Sequence, residues 1–384
     1  MSFDFPEKGF IFWPVGNGDS TTIAIDKNTL MQIDLNHTVS SEDDKDPRYP
    51  MVDILVETLP KISSKPYLSV FALTHPDEDH CRGFSDLLER VDIGEIWFTP
   101  RIFSEYSKEL CEDAKVFKRE VKERVKKCKG SSESIKSGDR VRIIGYDDIL
   151  KEEDYDNFPT SLISIPGTKI IQLDGKDYSQ SFHAFIHTPF KDDMDGDRNE
   201  TSLGLQINLN SDRYNGQVLL FGDLSYPVIK RVFDRSKSSD LEWDILLAPH
   251  HCSKSVMYWK DEEDKEETLK KELLGNIEDC GKDSNYIISS SNPIPSTNKD
   301  GDSPPHAIAK NRYEETTSNK LICTMENPKK DNPQPIIFVV NSDNLECLAE
   351  EEVDDEKMES LSKIIAATRK EEKPPSVEVG FGIR

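Results

Sequence analysis

The stretch LTHPDEDHCRGF, from Leu73 to Phe84, constrains the fold more than any other part of the sequence. It places two histidines and three carboxylates within the six residues from His75 to His80. Carboxylates this close repel one another unless a cation lies between them. The run YLSVFAL (Tyr67–Leu73) before it predicts a β-strand, so the charged residues belong to the loop at the C-terminal end of that strand. The pattern therefore indicates a metal site that needs further ligands from elsewhere in the chain.

Two more predicted strands end in residues that bind metals. The run LLFGD ends at Asp223, and WDILLAP is followed at once by His250 and His251. Loops at the C-terminal ends of strands converge from distant parts of a chain. Imidazole and carboxylate ligands suit Zn, Mn or Fe, and two metals can share a bridging carboxylate. The predicted metal ligands are His75, Asp77, Asp79, His80, Asp223 and His250.

The order of the predicted elements indicates an α/β fold. The first strands follow one another as a meander, and later strands alternate with helices, one of them predicted from about Ser104 to Lys127. Two mixed sheets with helices outside them make a four-layer αββα arrangement. We predict one domain over residues 1–345, with a helical insertion at about 101–130, and an acidic C-terminal appendage over 346–384. Within the appendage, Glu350–Asp355 is an acidic run and Glu356–Lys370 a predicted helix.

Composition narrows the compartment and the partners. No apolar run approaches the roughly 18 residues of a membrane span, and the N-terminus does not resemble a signal peptide. The seven cysteines are odd in number and show no CxxC spacing, which is typical of free thiols in a reducing cytoplasm. We therefore predict a cytoplasmic protein with no membrane contact.

The net charge of -24 argues against nonspecific coating of nucleic acid, because such binding depends on neutralising phosphates. One local exception is Lys115–Lys129, which holds eight Lys or Arg against two Glu. This basic helix is either a solvated face or a nucleic-acid contact. The residues predicted for the second case are Lys122, Arg124, Lys126 and Lys127.

These motifs, taken in order, resemble the metallo-β-lactamase fold in its ComEC/Rec2-type branch. HPDEDH resembles an HxDxDH motif, LLFGD resembles LLTGD, and APHHCSKS resembles HHGSxxS. VGNGDS (Val15–Ser20), RNETSLGLQI (Arg198–Ile207) and IISSSN followed by His306 resemble further segments of that branch, and the order holds from about residue 9 to 342. The resemblance implies a two-metal hydrolase core and a nuclease-like phosphodiesterase that lacks the membrane channel.

The resemblance also implies roles for individual residues. Asp79 and Asp223 are implied to be catalytic, with Asp223 as the bridging ligand, and His306 to contact phosphate or act as general acid. Four residues are expected to orient ligands or contact substrate: Asp19, Asn199, His251 and Ser253. Asn199 fills the place of a ligand histidine in the wider superfamily, where it is either a weak ligand or an amide that structures the loop. Cys252 and Arg82 replace glycines of the family and are expected to add side chains at the rim of the metal site.

Three functions remain open at the level of sequence. We favour a nuclease with two divalent ions, Zn or Mn, that acts on DNA or RNA. The alternatives are a hydrolase of cyclic nucleotides or other small phosphodiesters, and a partner-dependent effector or regulatory subunit of a phage-defence complex. A positively charged substrate groove would favour the nuclease, and a small closed pocket would favour the hydrolase of cyclic nucleotides. A large apolar surface patch would favour the subunit of a complex.

Overall fold

The computed structural model describes residues 5–105, 108–130, 135–146, 148–152, 155–299, 301–317, 321–348 and 363–367. The strands are β1 (Gly9–Phe12), β2 (Thr21–Asp26), β3 (Thr29–Ile33), β4 (Leu35–Asn36), β5 (Lys61–Ile62), β6 (Lys65–Ala72), β7 (Asp92–Phe98), β8 (Arg140–Ile144), β9 (Ile163–Ser164), β10 (Lys169–Ile170), β11 (Gln172–Leu173), β12 (Lys176–Asp177), β13 (Phe182–Ile186), β14 (Leu205–Asn210), β15 (Asn215–Leu220), β16 (Trp243–Leu247), β17 (Tyr258–Trp259), β18 (Thr268–Leu269), β19 (Gly281–Ser289), β20 (Leu321–Cys323), β21 (Ile336–Val340) and β22 (Leu345–Cys347). The helices are α1 (Met51–Thr58), α2 (Glu78–Cys81), α3 (Phe84–Arg90), α4 (Arg101–Ser104), α5 (Glu112–Cys128), α6 (Tyr226–Arg235), α7 (Pro249–Cys252), α8 (Lys271–Cys280) and α9 (Ala307–Thr316).

Two mixed sheets contain most of the strands. The first has the order β22-β21-β1-β2-β3-β6-β7-β8-β9, with β5 paired to β6, and it is parallel from β3 to β9. The second has the order β10-β13-β14-β15-β16-β19-β20 and is parallel from β15 to β20. Because β6, β15 and β16 lie in these parallel parts, the loops that follow them lie at the C-terminal edges of the sheets.

Three hydrophobic cores separate four layers. The middle core packs one sheet against the other through side chains such as Phe10, Trp97 and Ile207. A second core lies between the first sheet and helices α1, α3 and α5, and a third lies between the second sheet and helices α6, α8 and α9. This confirms the predicted four-layer αββα architecture.

The predicted elements agree with the structure in kind but not always in extent. The N-terminal meander is confirmed as β1, β2 and β3, paired antiparallel. The single helix predicted from Ser104 to Lys127 is wrong at its start, because α4 ends at Ser104 and α5 begins only at Glu112. Cys111 marks that second start, since its Sγ accepts a hydrogen bond from the backbone N–H of Ala114.

Helix α5 belongs to the outer layer of the fold. Its apolar face, which includes Phe117 and Val121, is buried in the same core as Phe71 of β6 and Phe84 of α3. Of the predicted C-terminal appendage, the acidic run Glu350–Asp355 lies outside the described residues. Residues 363–367 of its predicted helix are helical. Across the described residues, we find no helix with the length and apolar character needed to cross a membrane.

Candidate metal centre

Three strand ends meet at one point, as the sequence predicts. His75, Asp223 and His250 are each the third residue after their strand, after Ala72, Leu220 and Leu247 respectively. The backbone N–H of His250 donates to the carbonyl of Gly222, which fixes the two loops of the second sheet side by side. The loop from the first sheet approaches the same point, with His75 Nε2 at 3.8 Å from Asp223 Oδ2.

Oxygen Oδ2 of Asp223 faces one group of predicted ligands. His75 Nε2 lies 3.8 Å from it and His250 Nε2 lies 3.7 Å from it. Asp77 joins this group, since its Oδ2 lies 3.7 Å from His75 Nε2. One carboxylate oxygen and two imidazoles thus surround this face of Asp223.

Oxygen Oδ1 of Asp223 faces a second group. His80 Nε2 lies 3.2 Å from it and His251 Nε2 lies 3.5 Å from it. Asp79 Oδ2 is 3.3 Å from His251 Nε2, and Asp19 Oδ1 is 3.5 Å from His251 Nδ1. Asp223 therefore lies between two sets of potential metal donors.

Several of these donor atoms lack hydrogen-bond partners and could be satisfied by a divalent cation. His75 Nε2, His80 Nε2, His251 Nε2 and Asp223 Oδ1 are buried and have no hydrogen-bond partner. Buried polar atoms without a partner are costly, and a ligand or ion usually satisfies them. On the Oδ1 side, one donor atom from each of four residues lies within 4.8 Å of the others: Asp19, His80, Asp223 and His251. Nitrogen and carboxylate donors of this kind suit Zn or Mn.

The electrostatics of the cluster show the same demand for positive charge. Burial lowers the pKa of both His80 and His251, but nearby carboxylates outweigh it. Asp223 and Asp34 raise the pKa of His80 well above its ordinary value, and Asp223, Asp19 and Asp79 do the same for His251. These two imidazolium ions hold the pKa of Asp223 well below the usual range despite its burial. The carboxylates that raise these imidazole pKa values also attract a metal cation, so a cation that binds here competes with protons for His80 and His251.

An unusual backbone turn carries the two adjacent histidines. His250, His251 and Cys252 have φ values of 50°, 53° and 66°, all in the left-handed region that residues with a side chain rarely adopt. The turn sends the two imidazoles to opposite oxygens of Asp223. His251, which we predicted to lie outside the ligand set, therefore reaches deeper than His250, with 4% of its side chain exposed against 28%.

Asp34 is a functional residue that the sequence analysis missed. It is fully buried at the end of β3, and its Oδ2 lies 2.7 Å from His80 Nδ1. The same carboxylate accepts hydrogen bonds from the backbone N–H and the hydroxyl of Thr74. Asp34 thus accepts the Nδ1–H of His80 and leaves Nε2 turned toward the metal centre, where it could bind a metal once its own proton is lost. The available signal was an Asp at the end of a strand, the same signal that identified Asp223.

We expect Asp34→Asn to weaken metal binding by about 10- to 100-fold without unfolding the protein, because loss of a carboxylate behind a ligand histidine has effects of this size. Mn titration followed by thermal shift measures the change. Asp244→Asn is the matched control. Asp244 lies in β16 with only 1% of its surface exposed, and its carboxylate accepts hydrogen bonds from Tyr214 and Lys282. Equal loss of Mn affinity in both variants would mean that Asp34 acts only on stability.

The glycine-rich turn Val15–Ser20 packs against the metal loop. Gly18 has a φ of 126°, and a Cβ there would lie 2.4 Å from the carbonyl oxygen of Asp79. Its own carbonyl accepts a hydrogen bond from Ser290 Oγ. Close backbone contact of this kind needs a glycine, and it fixes Asp19 beside His251 as predicted.

Asn199 and Ser253 contact the centre less directly. The carbonyl of Asn199 accepts hydrogen bonds from the N–H and hydroxyl of Ser202, and Ser202 Oγ accepts from the N–H of Asp223. Asn199 thus shapes the loop beneath Asp223 through its backbone. Ser253 Oγ accepts from the N–H of Ser255 and begins the next helical turn. Roles for the two side chains toward substrate stay predictions.

His306 lies next to the turn at Cys252, and its contacts there support neither the predicted phosphate contact nor the predicted general acid. Its Nδ1 accepts the backbone N–H of Lys254, and its Nε2 lies 3.1 Å from the carbonyl of Asp302. A ring that accepts at Nδ1 and donates at Nε2 is neutral and has no free nitrogen. Its backbone N–H also donates to the carbonyl of Cys252. His306 therefore supports the left-handed turn.

The two side chains that replace family glycines differ in position. Cys252 is fully buried in the third core, so the expectation that it projects at the metal rim is wrong. Arg82 is 30% exposed, and it donates to Asn36 Oδ1 and pairs with Glu78, so its side chain is directed to groups outside the predicted ligand set. Glu78 is 61% exposed and points away from the centre, unlike Asp77 and Asp79.

Comparisons with known proteins give the following. Neither a protein-family model nor a curated protein sequence matches the chain. Among solved structures, the metallo-β-lactamase fold protein YhfI from Bacillus subtilis matches at 12% identity, over 82% of this chain and 96% of that chain, with a TM-score of 0.38. A diphosphatase from the PhnP family matches at 9% identity, over 80% and 81%, with a TM-score of 0.33. The archaeal metallo-β-lactamase superfamily protein ST1585 from Sulfolobus tokodaii matches at 11% identity, over 82% and 98%, with a TM-score of 0.30. At these values the fold assignment rests on the sheets and layers of the chain itself.

Proposed function

We propose that this chain is a metal-dependent phosphodiesterase that uses two divalent ions. The observation that carries the proposal is the position of Asp223, whose two oxygens face two separate sets of buried nitrogen and carboxylate donors. When bound there, two metal ions supply Lewis acidity to a phosphoryl oxygen and lower the pKa of a water molecule. The residues of the chain hold and orient these groups.

The centre has one open side. His75, His80 and Asp223 have 0–5% of their side chains exposed, whereas Asp77 and Asp79 have 32% and 34%. Substrate therefore approaches over the two exposed carboxylates and His250. These carboxylates repel an anionic substrate unless cations neutralise them. Metal must therefore bind before the substrate does.

Arg198 provides a cation of the chain itself at this open side. Its Nη1 lies 3.0 Å from Asp77 Oδ1, while Asp77 Oδ2 faces His75. Arg198 thus orients Asp77 so that one oxygen is directed to the metal centre. Since a guanidinium can share its donors between a carboxylate and a phosphate, Arg198 is also placed to bind one phosphate oxygen.

Of the three functions, the subunit of a protein complex has the least support, because the described residues form no large apolar patch. The described part of the chain exposes four large hydrophobic residues, and they lie on four different segments: Val39, Ile62, Ile171 and Ile308. This gives no support to a large docking surface for a protein partner in a defence complex. A small phosphodiester such as a cyclic nucleotide remains the second candidate, because the same two-metal chemistry serves both substrates.

The deciding assay compares substrates on metal-loaded protein. Single-stranded DNA, RNA, a cyclic dinucleotide and the chromogenic diester bis(4-nitrophenyl) phosphate are each incubated with Mn or Zn. Hydrolysis of the long polymers supports the nuclease, and hydrolysis of the cyclic dinucleotide alone supports the second candidate. A protein that binds stoichiometric metal and cleaves no diester contradicts the proposal.

Helix α5 is the candidate contact for a nucleic-acid strand, with one correction. Arg124 is buried and donates to Glu120 and to the carbonyls of Gly94 and Arg140, so it is not free to bind a phosphate. Lys122, Lys126 and Lys127 are exposed. Lys126 pairs with the exposed Glu123, and exposed pairs of this kind are weak enough for a phosphate to replace the carboxylate.

We expect a Lys122→Ala, Lys126→Ala, Lys127→Ala triple variant to bind nucleic acid with a weaker dependence on salt. Each lost phosphate contact lowers the slope of log K against log salt by about 0.7 to 0.9. Fluorescence anisotropy over a salt series measures the slope. The matched control changes three exposed lysines on other segments of the chain, Lys237, Lys265 and Lys329. An unchanged slope in the first variant means that the helix is only a solvated face.

A further inference from the structure

Two thiols lie in contact between the metal loop and the basic helix. Cys81 is the last residue of α2, directly after the ligand His80, and Cys111 precedes α5. Their Sγ atoms are 3.6 Å apart, and both cysteines are free. A disulfide needs the sulfurs to approach to about 2.05 Å, so closure requires a shift of only ~1.6 Å.

Cys111 has the surroundings of a reactive thiol. It lies at the N-terminus of the 17-residue helix α5, is partly exposed, and its Sγ accepts the N–H of Ala114 at 3.4 Å. The hydrogen bond from Cys81 lowers the pKa of Cys111 to about 7, while burial and the carboxylates of Asp113 and Glu78 act in the opposite direction. A helix N-terminus stabilises a thiolate, and partial exposure lets a small oxidant reach it.

We propose that Cys81 and Cys111 form a peroxide-sensitive dithiol whose oxidation to a disulfide tethers the metal loop to α5 and weakens metal binding. The second half of this statement rests on the proposed metal centre. The first half concerns the thiols alone and does not depend on it.

The reaction proceeds in two balanced steps with hydrogen peroxide as the oxidant. The Cys111 thiolate attacks one oxygen of the peroxide, the S–O bond forms, the O–O bond breaks, and the hydroxide that leaves takes a proton to become water. The sulfur of Cys81 then attacks the resulting sulfenic acid as its thiol proton leaves. The S–S bond forms, the S–O bond breaks, and the departing hydroxide takes that proton to become a second water. Two thiols are oxidised and one peroxide is reduced.

The disulfide acts on the metal centre because of what Cys81 contacts. Its Sγ lies 3.2 Å from the carbonyl oxygen of Asp77, so its single S–H can be donated to Asp77 or to Cys111. Oxidation removes that proton and with it the contact to the ligand loop. Asp113 in the first turn of α5 accepts hydrogen bonds from the backbone N–H groups of Gly83 and Ser85, so the segment after Cys81 is already joined to α5, and closure of the disulfide pulls Cys81 toward the same helix turn.

Displacement of Cys81 displaces its neighbours Asp79 and His80. Metal sites require donor distances within about 0.2 Å of their preferred values, so a shift on the order of 1 Å at the adjacent residue changes the affinity. We expect the apparent dissociation constant for Mn to rise at least tenfold on oxidation and to recover on reduction.

The test uses the full chain, first without metal. Reduced protein is treated with hydrogen peroxide, quenched, digested without reductant and analysed by mass spectrometry for a Cys81–Cys111 cross-linked peptide. Mn is then titrated against the reduced, oxidised and re-reduced protein by thermal shift. Cys111→Ser is the first variant, because serine keeps the N-terminal cap of α5. Cys347→Ser is the control, since Cys347 is also partly exposed.

The expected result is a cross-link in wild type and in Cys347→Ser, absent in Cys111→Ser, with a Mn affinity in Cys111→Ser that peroxide leaves unchanged. Absence of the cross-link in wild type overturns the proposal. A cross-linked protein with unchanged Mn affinity overturns the coupling to the metal loop. Reduced wild type that does not bind Mn overturns the proposed metal centre and the coupling with it, while the dithiol is still decided by the peptide mapping.

Discussion

Asp223→Asn is expected to lower phosphodiester hydrolysis by at least 1000-fold, which corresponds to about 4 kcal/mol of activation free energy. The amide keeps the volume of the side chain but lacks the negative charge that both donor sets face. Fewer than two metals per chain should bind, because an amide is a poor bridge between two cations. Elemental analysis and the rate of bis(4-nitrophenyl) phosphate hydrolysis measure the two effects.

The variant should remain folded. Asp223 is one of several carboxylates that raise the pKa of His80 and His251, and the others stay in place, with Asp34 beside His80 and Asp19 and Asp79 beside His251. Both imidazoles therefore keep carboxylate partners in the variant. Near-ultraviolet circular dichroism checks the fold, and Asp244→Asn again serves as the buried-carboxylate control. A variant that holds two metals and turns over at the wild-type rate would show that Asp223 is not a bridge.

The second large effect is stabilisation by metal. At a Mn concentration a hundredfold above the dissociation constant, linkage should raise the free energy of unfolding by about 2.7 kcal/mol. Asp79→Ala should lose most of this gain, because Asp79 lies 3.3 Å from His251 in the Oδ1 donor set. Glu78→Ala should keep it, because Glu78 is 61% exposed and pairs with Arg82 outside the centre.

Thermal unfolding of the two variants and the wild type, with chelator and with Mn, makes the comparison. Glu78 and Asp79 are adjacent in sequence, but their side chains lie on opposite sides of the loop. Each variant therefore controls for the general effect of removing a negative charge from α2. If Glu78→Ala loses as much of the Mn-dependent gain as Asp79→Ala, the assignment of carboxylates to the metal is wrong.

The sequence predicted the location of the centre because the information is local. A strand followed by a polar loop places His75, Asp223 and His250 at sheet edges whatever the rest of the chain does. The layered architecture could be predicted for the same reason, since it depends on the type and order of elements. The start of α5 could not, because its boundary depends on the backbone and side-chain hydrogen bonds at Cys111.

Residue identity in the centre was harder to predict where the backbone departs from ordinary geometry. We predicted His250 and not His251 as a ligand on the assumption that two adjacent side chains seldom face one metal; in the left-handed turn both imidazoles reach Asp223, each at a different oxygen. Asp34 was missed because its role depends on His80, 46 residues away in the chain. Arg124 was grouped with the solvated lysines because a run of basic residues does not reveal which member faces the core.

The left-handed turn at His250–Cys252 also limits how this centre can be transplanted. A designer who copied the sequence HHC onto a right-handed loop would change the Cα–Cβ directions of both histidines, because the backbone angles set those directions and the side-chain torsions only turn the rings about them. A successful graft must carry the backbone conformation of the turn together with the hydrogen bond that stabilises it, from the His306 N–H to the Cys252 carbonyl. Grafting the two histidines therefore means grafting the segment that holds His306, some fifty residues further along the chain.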